Sequence, residues 1–271
     1  MRCIVGEKLK NAPVYFALAQ VRHNPVSRLS AYADSIGDEM RKSGYPDQRK
    51  SIAISFSFVA SEQADQQPTP QQEPIERLMF FNSSNTKGFI VEPTAIAFYT
   101  TDYDVSETFF SDFLSGVSIV HDCVKLDYIE RIGLRYLDAV VPPNGLNQLS
   151  EFLTSTVLGL TNAEADIKVS HSISETHFST DDCNVLARTI IINNKGPIGF
   201  PMDIQLNGAA LVGRFASVNS EHAILDTDAS IEGRSLFDLS KLSEELIKLK
   251  NGTRKAFKLL VTDKAIAFWN T

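Results

Sequence analysis

The sequence predicts an α+β protein made of two lobes of antiparallel sheet with flanking helices. Three observations carry this. Several segments alternate apolar and polar residues at a period of two, and others repeat apolar residues every three or four positions. The two kinds also follow one another in a similar order in both halves of the chain. At 271 residues the chain can bury one large core or two lobes. Its 43% apolar and 22% charged residues are those of a chain that folds rather than stays disordered.

The first lobe is expected over residues 1–125. Residues 13–23 (PVYFALAQVRH) form an apolar run ending in charge, which reads as a buried strand. Leu29, Tyr32, Ala33, Ile36 and Met40 then recur at helical spacing, with Ser27 as the expected N-cap and Gly44 and Pro46 as the stop. In residues 51–60, Ile52, Ile54, Phe56 and Phe58 alternate with small or polar residues, the clearest strand pattern in the chain. Residues 61–74 (SEQADQQPTPQQEP) have almost no large apolar side chains and are expected to be a mobile loop. Strands follow near 76–83, 87–92 and 95–101. Asp104 and Glu107 then resemble a capping box ahead of a helix that presents Phe109, Phe113, Val117 and Val120.

The second lobe is expected over residues 126–271. It opens with a long strand at 128–140 (YIERIGLRYLDAV), closed by Pro142, Pro143 and Gly145. A helix is expected at 146–158 and strands at 165–178, 184–194, 202–216 (broken at Gly208, with Gly213 a second candidate break) and 222–232, with KGPIGFP as an ordered loop between two of them. Leu239, Leu242, Leu246 and Leu249 mark the last helix, and the tail after it should dock its apolar residues on the body. Read coarsely, each lobe is a β-α-β-β-β-α unit. Structural duplication is one account of that order, and one continuous sheet divided by the segmentation is the other.

Four stretches also carry a resemblance. They are Asn11-Ala12-Pro13-Val14 leading to Ala17 and Arg22; Tyr45-Pro46; the hexapeptide Arg131-Ile132-Gly133-Leu134-Arg135-Tyr136; and Ala256-Phe257 with Val261-Thr262 and Trp269. Together they resemble the uncharacterised, sporadically distributed prokaryotic family with an N-A-P-[VIL] opening and a central R-[IV]-G-[LV]-R-Y strand. The resemblance implies an accessory gene with a partner encoded nearby, in a defence or toxin-neutralising setting. It implies no activity and no catalytic residue. Asn251 and Gly252 depart from its pattern, which leaves no ground for a histidine-dependent role there.

Two places can hold a site. Alternation puts Arg131, Gly133 and Arg135 on one face of their strand, the guanidiniums about 13 Å apart with a glycine between them, a spacing that can admit an anion or another backbone. The plainer alternative is that both arginines pair with carboxylates on neighbouring strands. Asp226 and Asp228 share a face of a second strand, and Arg22 is grouped with them as a further ligand- or partner-binding residue. Two carboxylates fall short of a metal site, so no metal or cofactor is expected.

The formal net charge of −7 disfavours nucleic acid as the main partner. Cys3, Cys123 and Cys183 follow no disulfide or metal spacing, and no apolar run approaches a membrane span. A cytoplasmic protein without a membrane is therefore expected. No phosphate-loop, dinucleotide, serine-hydrolase or zincin motif occurs. The first reading is therefore a non-enzymatic protein that binds a partner protein. The second is RNA binding by Arg22, Arg131, Arg135, Arg188 and Arg214 with Phe56, Phe58 and Tyr136. A small-ligand binder or an enzyme of unfamiliar class is the third, and a concave pocket joining the arginines to Asp226 and Asp228 would favour it.

Overall fold

The computed structural model of the protein describes residues 9–59, 69–143, 149–162, 169–204 and 209–271. The expected α+β class holds: nine antiparallel strands form one sheet with helices against it. In chain order the described elements are β1 (Val14–His23), α1 (Ala33–Lys42), β2 (Asp47–Val59), β3 (Thr69–Phe81), β4 (Lys87–Glu92), β5 (Ala95–Thr100), α2 (Ser106–Val124) and β6 (Tyr128–Val140). Then come α3 (Leu149–Phe152), α4 (Ser155–Leu158), β7 (His171–Ser179), β8 (Asn184–Gly196), β9 (Ser220–Leu236), α5 (Leu239–Leu260) and α6 (Asp263–Trp269).

The spatial order is β2-β3-β4-β5-β1-β6-β9-β8-β7. In each half the first strand lies at the middle of the sheet, the last lies beside it, and the preceding strands run outward. β2 is the extra strand of the first half. β1 and β6 pair antiparallel and join the halves, with Leu18 opposite Arg135, Gln20 opposite Gly133 and Arg22 opposite Arg131.

One sheet face packs on the helices. The α2 residues Phe109, Phe113, Val117 and Val120 are buried as their spacing predicts, together with Leu242, Leu246 and Leu249 of α5. Contact is close enough to need glycine. A Cβ on Gly116 would lie 2.2 Å from the Phe89 ring, and one on Gly252 would lie 2.5 Å from Cys183 Sγ. Gly252 is thus a point where α5 seats closely against the start of β8.

Among the described residues, the opposite face is covered at one end. Residues 197–204 and 209–218 lie across it, and Ile198, Phe200, Ile204, Leu211, Phe215 and Val218 pack on Tyr15, Phe16, Leu137 and Ile224. This corrects the strand expected at 202–216. Pro201 and Gly213, the latter at φ +56, interrupt any ladder there, and the only regular piece described is a 3-10 turn at Gly213–Phe215. Residues 205–208 lie outside the described residues.

Other expectations shift for local reasons. Strand β3 begins at Thr69 and pairs with β2 down to Val59, so residues 69–74 of the expected loop are strand, held by cross-strand pairing despite their composition. Residues 61–68 lie outside the described residues. A 3-10 turn at Leu29–Tyr32 separates Ser27 from α1, so Ser27 caps nothing. Val105 takes the cap position of α2, one residue past the proposed box. The helix expected at 146–158 is two short helices. The Thr154 N–H bonds to Leu260 O, and Leu153 bridges to Val261, which stops α3 from running on.

Candidate functional site

On the open face, the alternation of β6 directs Arg131, Gly133 and Arg135 away from the helices. Their cross-strand partners Arg22, Gln20 and Leu18 on β1 point the same way. Beside β6, strand β9 brings Asp228 opposite Arg135 and Glu232 opposite Arg131. Between these strands and β3–β4 lies a groove of about 580 Å³. Its floor is low on the β5 side, where Ala95 and Ala97 lie near Ile90, and Gln20 of β1 separates Ala97 from Gly133 of β6.

The walls carry matched charge. Arg77 of β3 pairs with Glu92 of β4 at one side, Arg131 and Asp228 stand at the other, and Arg135 with Asp203 closes the covered end. Among the groove-lining residues, three arginines therefore face three carboxylates.

Each of these groups is held differently. Arg135 is almost wholly buried. It donates to Asp226 through Nε and Nη2 at 2.7 and 2.8 Å, and to Asp203 through Nη1 and Nη2 at 2.7 and 3.1 Å. Burial opposes its charge, but the bonds to the two carboxylates outweigh that and hold its pKa above the ordinary arginine value. Arg188 of β8 extends the cluster, with Nη1 3.4 Å from Asp226 and Nε 2.9 Å from Glu175. Asp203 is held below the usual carboxylate range, chiefly by its bond to Arg135.

Arg131 is looser. Its guanidinium folds back over Gly133, where a Cβ would meet Nη1 at 2.7 Å, and makes only a 3.4 Å bond to Gln20 Oε1 and a 3.5 Å approach to Glu232. Asp228 is mostly buried, and no described residue hydrogen-bonds or ion-pairs with its carboxylate. Burial raises its pKa, and the nearby charges of Arg131 and Arg135 pull it back only in part.

Four of the five residues singled out from the sequence are thus brought together: Arg131, Arg135, Asp226 and Asp228. Their meeting takes place between β6 and β9, within the second half of the chain rather than across the two halves. Arg22 shares the face but stands exposed beyond the groove edge. Asp226 lies beneath Arg135 and is spent on it. Sequence reasoning missed Arg77, Glu92, Gln20 and Asp203. The first three have no pattern that announces their register, and Asp203 fell inside a segment taken for a strand. Of the residues grouped for RNA contact, Tyr136 is buried toward the helices and Arg214 donates to the carbonyls of Asn11 and Ala12.

Among the described residues no three His, Cys, Asp or Glu side chains converge as a cation site, and no helix is long and apolar enough to cross a membrane. No family model matches the chain, and no curated protein sequence is similar enough to count as a relative.

Proposed function

We propose that this chain is a binding protein without chemistry of its own, and that its groove holds an extended segment of a partner protein. The observation that carries the reading is the pairing of a small-residue floor with charges of both signs. Arg131 is tied down weakly, and Asp228 is desolvated with no hydrogen-bond or ion-pair partner among the described residues. A buried carboxylate without a partner is costly in the free protein, and a donor brought by a ligand removes that cost. A peptide supplies such donors and acceptors along its backbone, together with side chains of either charge. The groove's volume suits a few residues of chain, and Ala95 and Ala97 leave room for a backbone to approach beside the Arg131 guanidinium that covers Gly133.

The balance of charge in the groove favours this over RNA, which needs an excess of cations along its path. The implied setting remains that of the family resemblance: a cytoplasmic accessory protein whose partner is encoded beside it.

The test is tagged purification from the native host, comparing the wild type with Arg131→Glu and Asp228→Lys. The expected result is one stoichiometric protein with the wild type, lost with either variant, and a 260/280 nm ratio typical of protein. A partner retained equally by both variants would place the interface elsewhere. A ratio that falls on nuclease treatment would replace the reading with nucleic-acid binding.

A further inference from the structure

We infer that the guanidinium groups of Arg135 and Arg188 form an anion site now filled by the chain's own Asp203, and that a carboxylate of the bound segment takes its place. This rests on the groove reading above and names the chemistry that the segment must bring, an acidic side chain or a terminal carboxylate.

The cluster holds two guanidiniums and three carboxylates, those of Asp226, Asp203 and Glu175. A further anion therefore cannot simply be added and has to exchange with one already present. Asp226 is fixed: it sits in the middle of β9, its side chain is 2% exposed, and it spans both Arg135 Nε and Nη2. Glu175 belongs to the edge strand β7 and touches only Arg188 among the cations of the cluster.

Asp203 is the exchangeable member. It comes from a turn, closed by Ile204 N–H to Pro201 O, rather than from a strand. Its side chain is 49% exposed, and Met202 beside it is 97% exposed. The fork to Arg135 is bidentate, but its carboxylate side is open to water, so a dissolved anion can exchange with Asp203 without displacing any core residue. Asp203 also lines the groove, so the position it leaves opens directly onto the proposed ligand. Arg135 offers the vacated position two donors, Nη1 and Nη2, in the fork that suits a carboxylate or a phosphate. Arg188 Nη1, 3.7 Å from Asp203 and 3.4 Å from Asp226, adds a second positive charge beside it.

Inorganic phosphate is the probe, titrated at constant ionic strength by calorimetry into wild type, D203A, D203N and the double variant D203A/R188Q. Circular dichroism confirms that each is folded. D203A and D203N are expected to bind one phosphate at least tenfold more tightly than wild type, with the gain lost in D203A/R188Q. Equal binding by wild type and both single variants, or a gain that survives loss of Arg188, would overturn the inference. The titration needs no partner, so it fails or succeeds apart from the groove reading. Tighter phosphate binding alongside partner capture indifferent to Arg131 and Asp228 would uphold the anion site and sink the partner.

Discussion

The two faces of β6 keep charge under opposite conditions. On the open face Arg135 is nearly as buried as a core residue, yet it is surrounded by carboxylates that keep it ionised. On the helix face, three residues along, Asp138 is buried with no opposite charge or hydrogen bond reaching it among the described residues. Burial alone pushes its pKa to about 8. Its polar neighbours Tyr103 and Tyr136 place their hydroxyls 3.5 Å from each other. One face therefore satisfies charge by pairing, and the other avoids it by holding a proton. The comparison separates residues that build the sheet from residues left over for a ligand, and it can be pressed from either side.

The largest effect is expected at Arg135. Arg135→Ala leaves the buried Asp226 carboxylate without its main hydrogen-bond partner. Stability should fall by about 3–5 kcal/mol in urea titration. Replacing the pair together, Arg135→Met with Asp226→Leu, should recover most of that loss, because an apolar pair of similar size needs no compensation. A fall below about 1 kcal/mol for Arg135→Ala would mean that Asp203 and Asp226 are not bound to it in solution, and the pairing account of this face would fail.

Asp138 gives the next effect, and its sign follows from the proton it holds. Between the ordinary carboxylate value of 3.8 and about 8, the folded protein keeps Asp138 protonated while the unfolded chain ionises it. The folded state thus binds more protons in that window, and stability falls as pH rises through it. From pH 5 to about pH 7.5 this amounts to roughly 3 kcal/mol. Asp138→Asn should remove that contribution, leaving the variant close to wild type near pH 4 and more stable at pH 8. Parallel melting curves for the two proteins across this range would show instead that water or a cation reaches Asp138.

Much of this geometry is legible in the sequence. Alternation alone assigns Arg131, Gly133 and Arg135 to one face of β6 and Ile132, Leu134 and Tyr136 to the other, because side-chain direction in a strand is a local property. The faces of Asp226 and Asp228 follow in the same way. What alternation cannot supply is the neighbour. The pairing of Leu18 with Arg135 and of Arg77 with Glu92 depends on registers set by turns and by the whole sheet. The covering segment is illegible for a related reason. Gly213 and the Pro201 of KGPIGFP already mark breaks in the sequence, but Ile204, Leu211 and Phe215 look like strand residues until the sheet face that they cover exists. Asp203 was hidden with them.

The smallest expected effect on stability is also the sharpest test of what Arg131 is for. Arg131 lies on the same face of the same strand as Arg135, but its contacts are one long hydrogen bond and one distant, exposed carboxylate. Its side chain is only 21% exposed but weakly bonded, so Arg131→Ala should change stability by no more than about 1 kcal/mol. Gly133→Ala should be similarly mild. Nothing in the described backbone reserves this position for glycine through positive φ, and the added Cβ meets only the far end of the flexible Arg131 side chain. Yet that Cβ pushes the guanidinium off the floor, away from Gln20 and Asp228, while the arginine itself remains. If Arg131 serves a ligand, Gly133→Ala should weaken partner capture nearly as much as Arg131→Ala, with both melting points close to wild type. If either substitution instead costs more than about 2 kcal/mol, Arg131 is a second structural arginine like Arg135, and the open end of the sheet is no more a binding surface than the covered one.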